Sequence, residues 1–267
     1  MRKLIEIDLF PNQSITSKRS MERTHRYSER GIMPGVKVVK IGGQSIIDRG
    51  RKAVYPLIDE IVKCSKKYPM IIGVGGGTRS RHVYSLAVEL GLPAGVIAKL
   101  GTSISRQNAR MLHMLLAPYG GVYIPKENLE LVSLYIKSGC IPIVCGMPPY
   151  EYWEHPPREG NIPESRTDAG IFLIGEVMGA EEVIFVKDED GLYTDDPKKN
   201  PSAKFIKEIS VDELLKLDLP DMIIERKAVE LLKNARHVKR IKIINGLKKG
   251  NFTKSLSGKN VGTIIRK

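Results

Sequence analysis

Cysteine, histidine and aromatic residues are scarce in this sequence, and each shortage narrows the chemistry open to it. The three cysteines, Cys64, Cys140 and Cys145, are odd in number. Cys140 and Cys145 fall in an apolar stretch that reads as a strand, so buried thiols in a reducing compartment are expected rather than disulfides or metal ligands. The five histidines, His25, His82, His113, His155 and His237, include no adjacent pair. Aromatic residues make up 6% of the chain and do not interleave with its basic runs, as they do where side chains stack on bases. No apolar run approaches the ~20 residues of a membrane span. The start Met1-Arg2-Lys3-Leu4-Ile5 lacks the long apolar segment of a secretion signal. A cytoplasmic protein with no membrane partner is expected. Two phosphate motifs are also missing: there is no G-x-x-x-x-G-K-[ST] loop, and no G-x-G-x-x-G followed by the acid of a dinucleotide fold.

Positive charge is abundant, with a formal net charge of +13 and a pI near 9.6. It is scattered: Lys66-Lys67, Lys198-Lys199 and Lys248-Lys249 each sit beside turn residues. A solvated surface is the expectation over a nucleic-acid face, and small anionic ligands suit the charge balance. The excess of Lys, Arg and Glu also suits a heat-adapted source. At 267 residues the chain is long enough for one large α/β domain or two small ones with an ample core.

The first 35 residues form a basic arm in this reading. Pro11, Ser14, Lys18, Arg19, Arg23, Arg26 and Arg30 follow no clean apolar periodicity, which leaves open a disordered tail or an arm ordered against a neighbouring subunit. From Val36 onward, short β-branched runs alternate with helical spacing, the signature of parallel strands joined by helical crossovers. Val36–Ile41, Met70–Val74, Ile141–Val144, Val183–Val186 and Ile241–Ile244 are the candidate strands. Val54, Leu57, Ile58 and Ile61 recur at helical spacing, as do Met111, Leu112, Leu115 and Leu116. Ser210 with Glu213 reads as a capping box opening a further helix. A three-layer α/β sandwich over 36–267 follows, with a possible seam at 146–166, where prolines and glycines interrupt the pattern.

Glycine turns end two of the strands: Lys40-Ile41-Gly42-Gly43 and Gly73-Val74-Gly75-Gly76-Gly77-Thr78. Such turns let bare backbone N–H groups approach an anion at the carboxyl ends of strands, where open α/β sheets bind ligands. Lys40 and Lys187 add charge at strand ends, where phosphoryl transfer needs positioned cations. Asp168, at the start of a helix, is the carboxylate suited to holding both ammonium groups; a plain first-turn acid is the alternative. Asp190-Gly191 and Asp196-Pro197 read as turns, and a nucleotide site there would take Tyr193 and Asp196 as contacts.

The order Lys-x-Gly-Gly, Gly-Gly-Gly, Thr167-Asp168, Lys187-x-x-Asp190-Gly191-x-Tyr193-x-x-Asp196-Pro197, then Asn245-Gly246 and Val261-Gly262-Thr263, resembles the amino-acid kinase superfamily over residues 36–267. The resemblance implies one three-layer αβα sandwich of the carbamate kinase-like type. It implies MgATP over the half after about residue 165 and a phosphoryl acceptor over the half before it. Lys40 and Lys187 would stabilise the transferred group, Asp168 would organise them, and Gly42, Gly43, Gly75, Gly76 and Gly77 would approach phosphates. Asp190, Tyr193 and Asp196 would serve the nucleotide.

Within the superfamily, several stretches are similar to the molybdenum storage proteins, their beta subunits most of all. These are Lys40–Gly50, Thr78–His82, Gln107-Asn108, Gly146–Tyr150, Arg166–Gly170 and Asn234–Val238. That similarity implies ATP-driven loading of molybdate or tungstate as oxide clusters inside a hexameric cage, built from this chain alone or together with a related alpha-type subunit. Arg79, Arg81, Arg158 and Arg166 would offer donor forks to the oxyanion, and His155 is the candidate metal ligand. The uridylate kinases are the other relatives. They are expected to carry an acid where Gln107 stands and an aromatic pair where Glu164-Ser165-Arg166 precede Thr167; both departures count against uridylate, though Gln107 stays a candidate substrate contact, since an amide can still bond a ribose hydroxyl. ATP hydrolysis, phosphoryl transfer to uridylate, and nucleotide binding without turnover therefore stay open as three readings.

Overall fold

A strand covered by helices on both faces must be apolar on both, and the five expected strands form the middle of such a sheet. The computed structural model describes residues 31–148, 162–219 and 221–267, and Gly31–Lys267 is one compact unit. Most of the basic arm (residues 1–30), most of the proline-rich seam, and His155 and Arg158 lie outside the described residues.

Among these residues the strands are β1 (Lys37–Ile41), β2 (Met70–Val74), β3 (Gly121–Ile124), β4 (Ile141–Cys145), β5 (Glu182–Lys187), β6 (Leu192–Tyr193), β7 (Phe205–Ile206), β8 (Glu208–Ser210), β9 (Arg240–Asn245) and β10 (Thr263–Arg266). The α-helices are α1 (Arg51–Ser65), α2 (Gly77–Glu89), α3 (Ala94–Leu116), α4 (Val132–Lys137), α5 (Thr167–Met178), α6 (Val211–Leu217), α7 (Arg226–Asn234) and α8 (Asn251–Leu256). Eight strands share one sheet in the order β3-β4-β2-β1-β5-β9-β10-β8, while β6 and β7 form a separate hairpin. The run from β3 to β9 is parallel throughout; β10 pairs antiparallel with β9 and β8 pairs parallel with β10, so these two strands run against the rest.

Period-2 alternation sorts the side chains of each strand between two cores. Val38, Ile71, Val183, Phe185 and Ile241 pack under α5, α6 and α7 with Phe172, Leu214 and Leu232. Val39, Ile72, Ile143, Ile184 and Ile244 pack under α1, α3 and α8 with Ile61, Leu112 and Phe252. This is the three-layer αβα sandwich, with the capping box at Ser210 and Glu213 in place at the start of α6. Strands β3, β8 and β10 were not among the expected ones; they are four residues or fewer, too short for a periodic signal. Of the three cysteines only Cys64 is buried; Cys140 and Cys145 are half-buried, because they flank the apolar core of β4 instead of sitting within it, and all three are free thiols. Among the described residues, no helix is long and apolar enough to cross a membrane.

Gly73 decides how closely α5 approaches the sheet. It pairs with Lys40 in the β1–β2 register, and a Cβ at that position would overlap the Ile171 side chain of α5. Its bare backbone lets the first turn of α5 settle beside Lys40.

At the amino end of β5, Glu182 is buried among Lys37 at 3.2 Å, Arg240 at 2.7 Å and Lys242 at 2.9 Å. Burial alone would raise its pKa; hydrogen bonds from Arg240 and Lys242 and the charges of Lys242 and Lys37 outweigh burial and hold it below the ordinary range. Glu182→Gln leaves the buried Lys242 ammonium without its counter-charge and is expected to cost about 3 kcal/mol of stability. A carboxyl with a depressed folded pKa stabilises fully above its unfolded value of about 4.3, and this is lost as pH falls through the folded value. Urea midpoints of wild type and variant should therefore differ at neutral pH and converge in acid; equal midpoints at neutral pH would refute this role for Glu182.

Candidate functional site

Three chain segments meet at the carboxyl ends of β1, β2 and β5, where the first turn of α5 crosses them. They enclose a cleft of about 860 Å³. Lys40 comes from the penultimate position of β1 and Lys187 from the last position of β5; between them sits Asp168, the second residue of α5. Asp168 Oδ1 lies 2.5 Å from Lys40 Nζ, and its Oδ2 lies 3.1 Å from Lys187 Nζ. All three side chains are buried, at 3% to 6% exposure, yet all three line the cleft.

The electrostatics follow from that arrangement. Burial would raise the Asp168 pKa, but the Lys187 and Lys40 charges overcome it and hold the carboxyl far below the ordinary carboxylate range. The Lys187 ammonium is lowered, by burial first, with Lys40 adding to the effect and Asp168 opposing it. Asp168 is therefore a fixed anion that pins two ammonium groups. It is too weak a base to take a proton near neutral pH.

Glu225, which the sequence pattern did not single out, holds Asp168 in place. Its carboxylate accepts hydrogen bonds from the backbone N–H groups of Arg166 at 3.1 Å, Asp168 at 3.1 Å and Ala169 at 3.2 Å. Its own N–H donates back to Asp168 Oδ2 at 3.1 Å. Helices α5 and α7 thus cap each other across 57 residues of sequence. Burial and the neighbouring Asp168 charge push the Glu225 carboxyl up, against the pull of Lys40 and Arg166.

The glycine turns close over one another. A Cβ on Gly43 would strike the backbone of Gly77, so the two loops touch main chain to main chain. Gly77 adopts φ +73°, in the left-handed region that favours glycine. Asp48, also missed in the sequence, accepts the Thr78 N–H at 2.6 Å and ties the second loop to the segment after the first.

Of the residues singled out in the sequence, Lys40, Gly42, Gly43, Gly75, Gly76, Gly77, Arg81, Arg166, Asp168, Lys187, Tyr193 and Asp196 line this cleft together. Tyr193 packs edge-on against Phe205, with ring centroids 5.4 Å apart. Asp190 stands off the lining, bonded to Asn245 at 3.0 Å and Lys248 at 2.7 Å. Arg79 and Gln107 also lie off the lining and bond to each other at 3.0 Å. The cleft adds Asp188 and Lys198, an ion pair at 3.2 Å, to which Arg49 joins at 2.5 Å. Among the described residues, no cluster of three or more His, Cys, Asp or Glu side chains is arranged to hold a metal.

The model of the Amino acid kinase family matches residues 35–245. The chain is 48% identical over 258 residues to the molybdenum storage protein subunit beta of Azotobacter vinelandii, covering 97% of this chain and 96% of that protein. It is 27% identical over 236 residues to the uridylate kinase of Methanobrevibacter smithii, covering 85% and 97% respectively. The crystal structure of uridylate kinase from Archaeoglobus fulgidus superposes with a TM-score of 0.66 at 22% identity, covering 85% of this chain and 99% of that one, a likeness of fold.

The mutual capping of α5 and α7 makes its own forecast. Glu225→Ala strands three backbone donors and should cost about 1–3 kcal/mol in unfolding free energy. Glu225→Gln keeps an acceptor oxygen and should recover part of that loss in a denaturant titration; an alanine variant as stable as wild type would show that the cap carries no weight.

Proposed function

The chain belongs to the amino acid kinase family, and from that premise we propose that it is a cytoplasmic molybdenum storage subunit that uses MgATP to load molybdate or tungstate. The loaded metal is held as oxide clusters in a cage-like hexamer, together with a related alpha-type subunit. The observation that carries the phosphoryl chemistry is Asp168 buried between Lys40 and Lys187 on the wall of a cleft. The molybdenum reading draws its support from the likeness to the storage subunit.

The residues do chemistry that suits this role. In a loose transition state, charge builds on the transferred phosphoryl group and on the leaving oxygen of ADP. Lys40 and Lys187, fixed by Asp168, supply cations that need no reorganisation as that charge develops. Gly42, Gly43, Gly75, Gly76 and Gly77 bring main chain up to the phosphates, and Tyr193 and Asp196 hold the nucleotide. Arg81 and Arg166 face the acceptor oxyanion. Asp168, held ionised, is no general base near neutral pH, which suits an acceptor that arrives already as an oxyanion.

Magnesium keeps most of its waters and takes one or two carboxylates plus phosphate oxygens, so the absence of a three-carboxylate cluster among the described residues fits a metal carried in on ATP. Asp168 is committed to its lysines and Asp188 to Arg49 and Lys198, which leaves Glu189 and Asp196, each paired with an exposed lysine, as the lining carboxylates that would hold the ion. When bound, the ion neutralises phosphate charge.

Elemental analysis of desalted protein, with and without its alpha-type partner, tests the proposal after incubation with MgATP and molybdate. Many molybdenum atoms per chain are expected with ATP and few without it. Asp168→Asn and Lys187→Met should abolish the ATP-dependent part. Conversion of UMP to UDP with no retained metal would make the chain a uridylate kinase, and nucleotide binding without turnover would make it a regulatory subunit.

A further inference from the structure

Asn108, on the buried face of α3, is fully shielded from solvent and lies behind the cleft wall, off its lining. Its Nδ2 donates to two consecutive carbonyls of the second glycine loop, Gly75 O at 2.7 Å and Gly76 O at 3.0 Å. One turn earlier, the Ser105 hydroxyl donates to Val74 O at 2.6 Å. The loop is therefore held from behind by its carbonyls.

A carboxamide can be turned either way round, and here Arg79 decides. Its guanidinium can only donate, and it donates to Asn108 Oδ1 and to Gln107 Oε1. With the oxygen committed to Arg79, the NH₂ group has to face the loop. Arg79, whose charge and position beside the glycines suggest an anion clamp, is thus spent on orienting an amide.

The carbonyl and N–H of a trans peptide point in opposite directions. Turning Gly75 and Gly76 carbonyls onto Asn108 therefore turns the N–H groups of Gly76 and Gly77 away from it, to the side where the cleft lies. The next N–H, of Thr78, is already taken by Asp48. Lys40 reaches the same place: a Cβ on Gly75 would lie 3.1 Å from its Nζ. A run of three glycines has little intrinsic preference for one peptide orientation, so an external brace has to supply it.

We propose that Asn108, oriented by Arg79, is a positioning residue that fixes the Gly76 and Gly77 N–H groups as donors to the bound oxyanion beside Lys40. This rests on the phosphate-handling reading given above. Neither Asn108 nor Arg79 touches the oxyanion; both act through the loop.

Asn108→Asp is the direct test. It keeps the shape and the acceptor for Arg79 but sets a carboxylate oxygen against two carbonyls. Molybdate affinity of the full-length chain, measured by calorimetry with MgATP present, should fall by about tenfold or more, as for loss of hydrogen bonds to a charged group. Amide exchange of the 74–79 segment, followed by mass spectrometry in the free protein, should speed up. Arg79→Ala should produce both effects and Arg79→Lys, which keeps one donor for Oδ1, should restore most of them; this pair decides the matter if the Asn108 variant does not fold.

Weaker binding in Arg79→Ala with unchanged loop exchange would make Arg79 a direct clamp and overturn the proposal, as would wild-type affinity in a folded Asn108→Asp. Failure of wild type itself to bind molybdate would instead remove the functional reading, and this inference with it.

Discussion

A carboxylate shared by two buried ammonium groups is the constraint from which the rest of this structure follows. Two ammonium groups at 5% and 6% exposure would repel each other and lack a counter-charge if left alone. Asp168 offsets that repulsion only if it stays within bonding distance of both. Holding one small side chain so firmly is a demand on backbone, and the surrounding elements meet it from different directions. Gly73 removes the side chain that would keep α5 off the sheet, Glu225 seals the exposed N–H groups at the head of α5, and the parallel register of β1 with β5 sets Lys40 and Lys187 on adjacent strand ends.

The glycine loops show the same logic in the main chain. Their backbone freedom lets two loops touch, but freedom alone gives no directed donors, so side chains from elsewhere in the fold do the directing. Asp48 holds the second loop from the first-loop side, and Asn108 holds it from α3. A residue type that is flexible in isolation becomes part of a fixed loop once its carbonyls are bound from behind.

Much of this is legible in the sequence, and the division between what is and what is not has a physical cause. Buried parallel strands write themselves as β-branched runs, and strand-end turns as glycine, so β1, β2, β4, β5 and β9 are readable from local pattern. Lys40, Asp168 and Lys187 can be paired because each sits at the end of such an element. Glu225, Asp48 and Asn108 cannot, because what each does is set by a partner 30 or more residues away. Arg79 illustrates the ambiguity: its charge suits an anion, but α3 offers it two amide oxygens, and those are nearer at hand. Short edge strands such as β10 are invisible for a simpler reason, since four residues carry too little periodicity to stand out.

Two ion clusters, at opposite ends of β5, show why one of them reads as a site and the other does not. At the amino end, Glu182 meets three cations, but Lys37 and Arg240 keep 23% and 33% of their side chains in solvent, so the buried part of that cluster is one carboxylate against Lys242. It is balanced and closed. At the carboxyl end, the buried ammonium groups of Lys40 and Lys187 share a single carboxylate, Asp168, while Glu225 is engaged by the backbone of α5 and by Arg166, whose side chain is 39% exposed. A surplus of buried positive charge is unfavourable in an isolated fold, because no solvent is there to offset it. Here the two ammonium groups face an open cleft, lined further by Arg81 and by Lys198, itself paired with Asp188 and Glu189. An anion entering the cleft supplies the missing negative charge, so the feature that burdens the empty fold is the same one that would bind an oxyanion or a nucleotide phosphate.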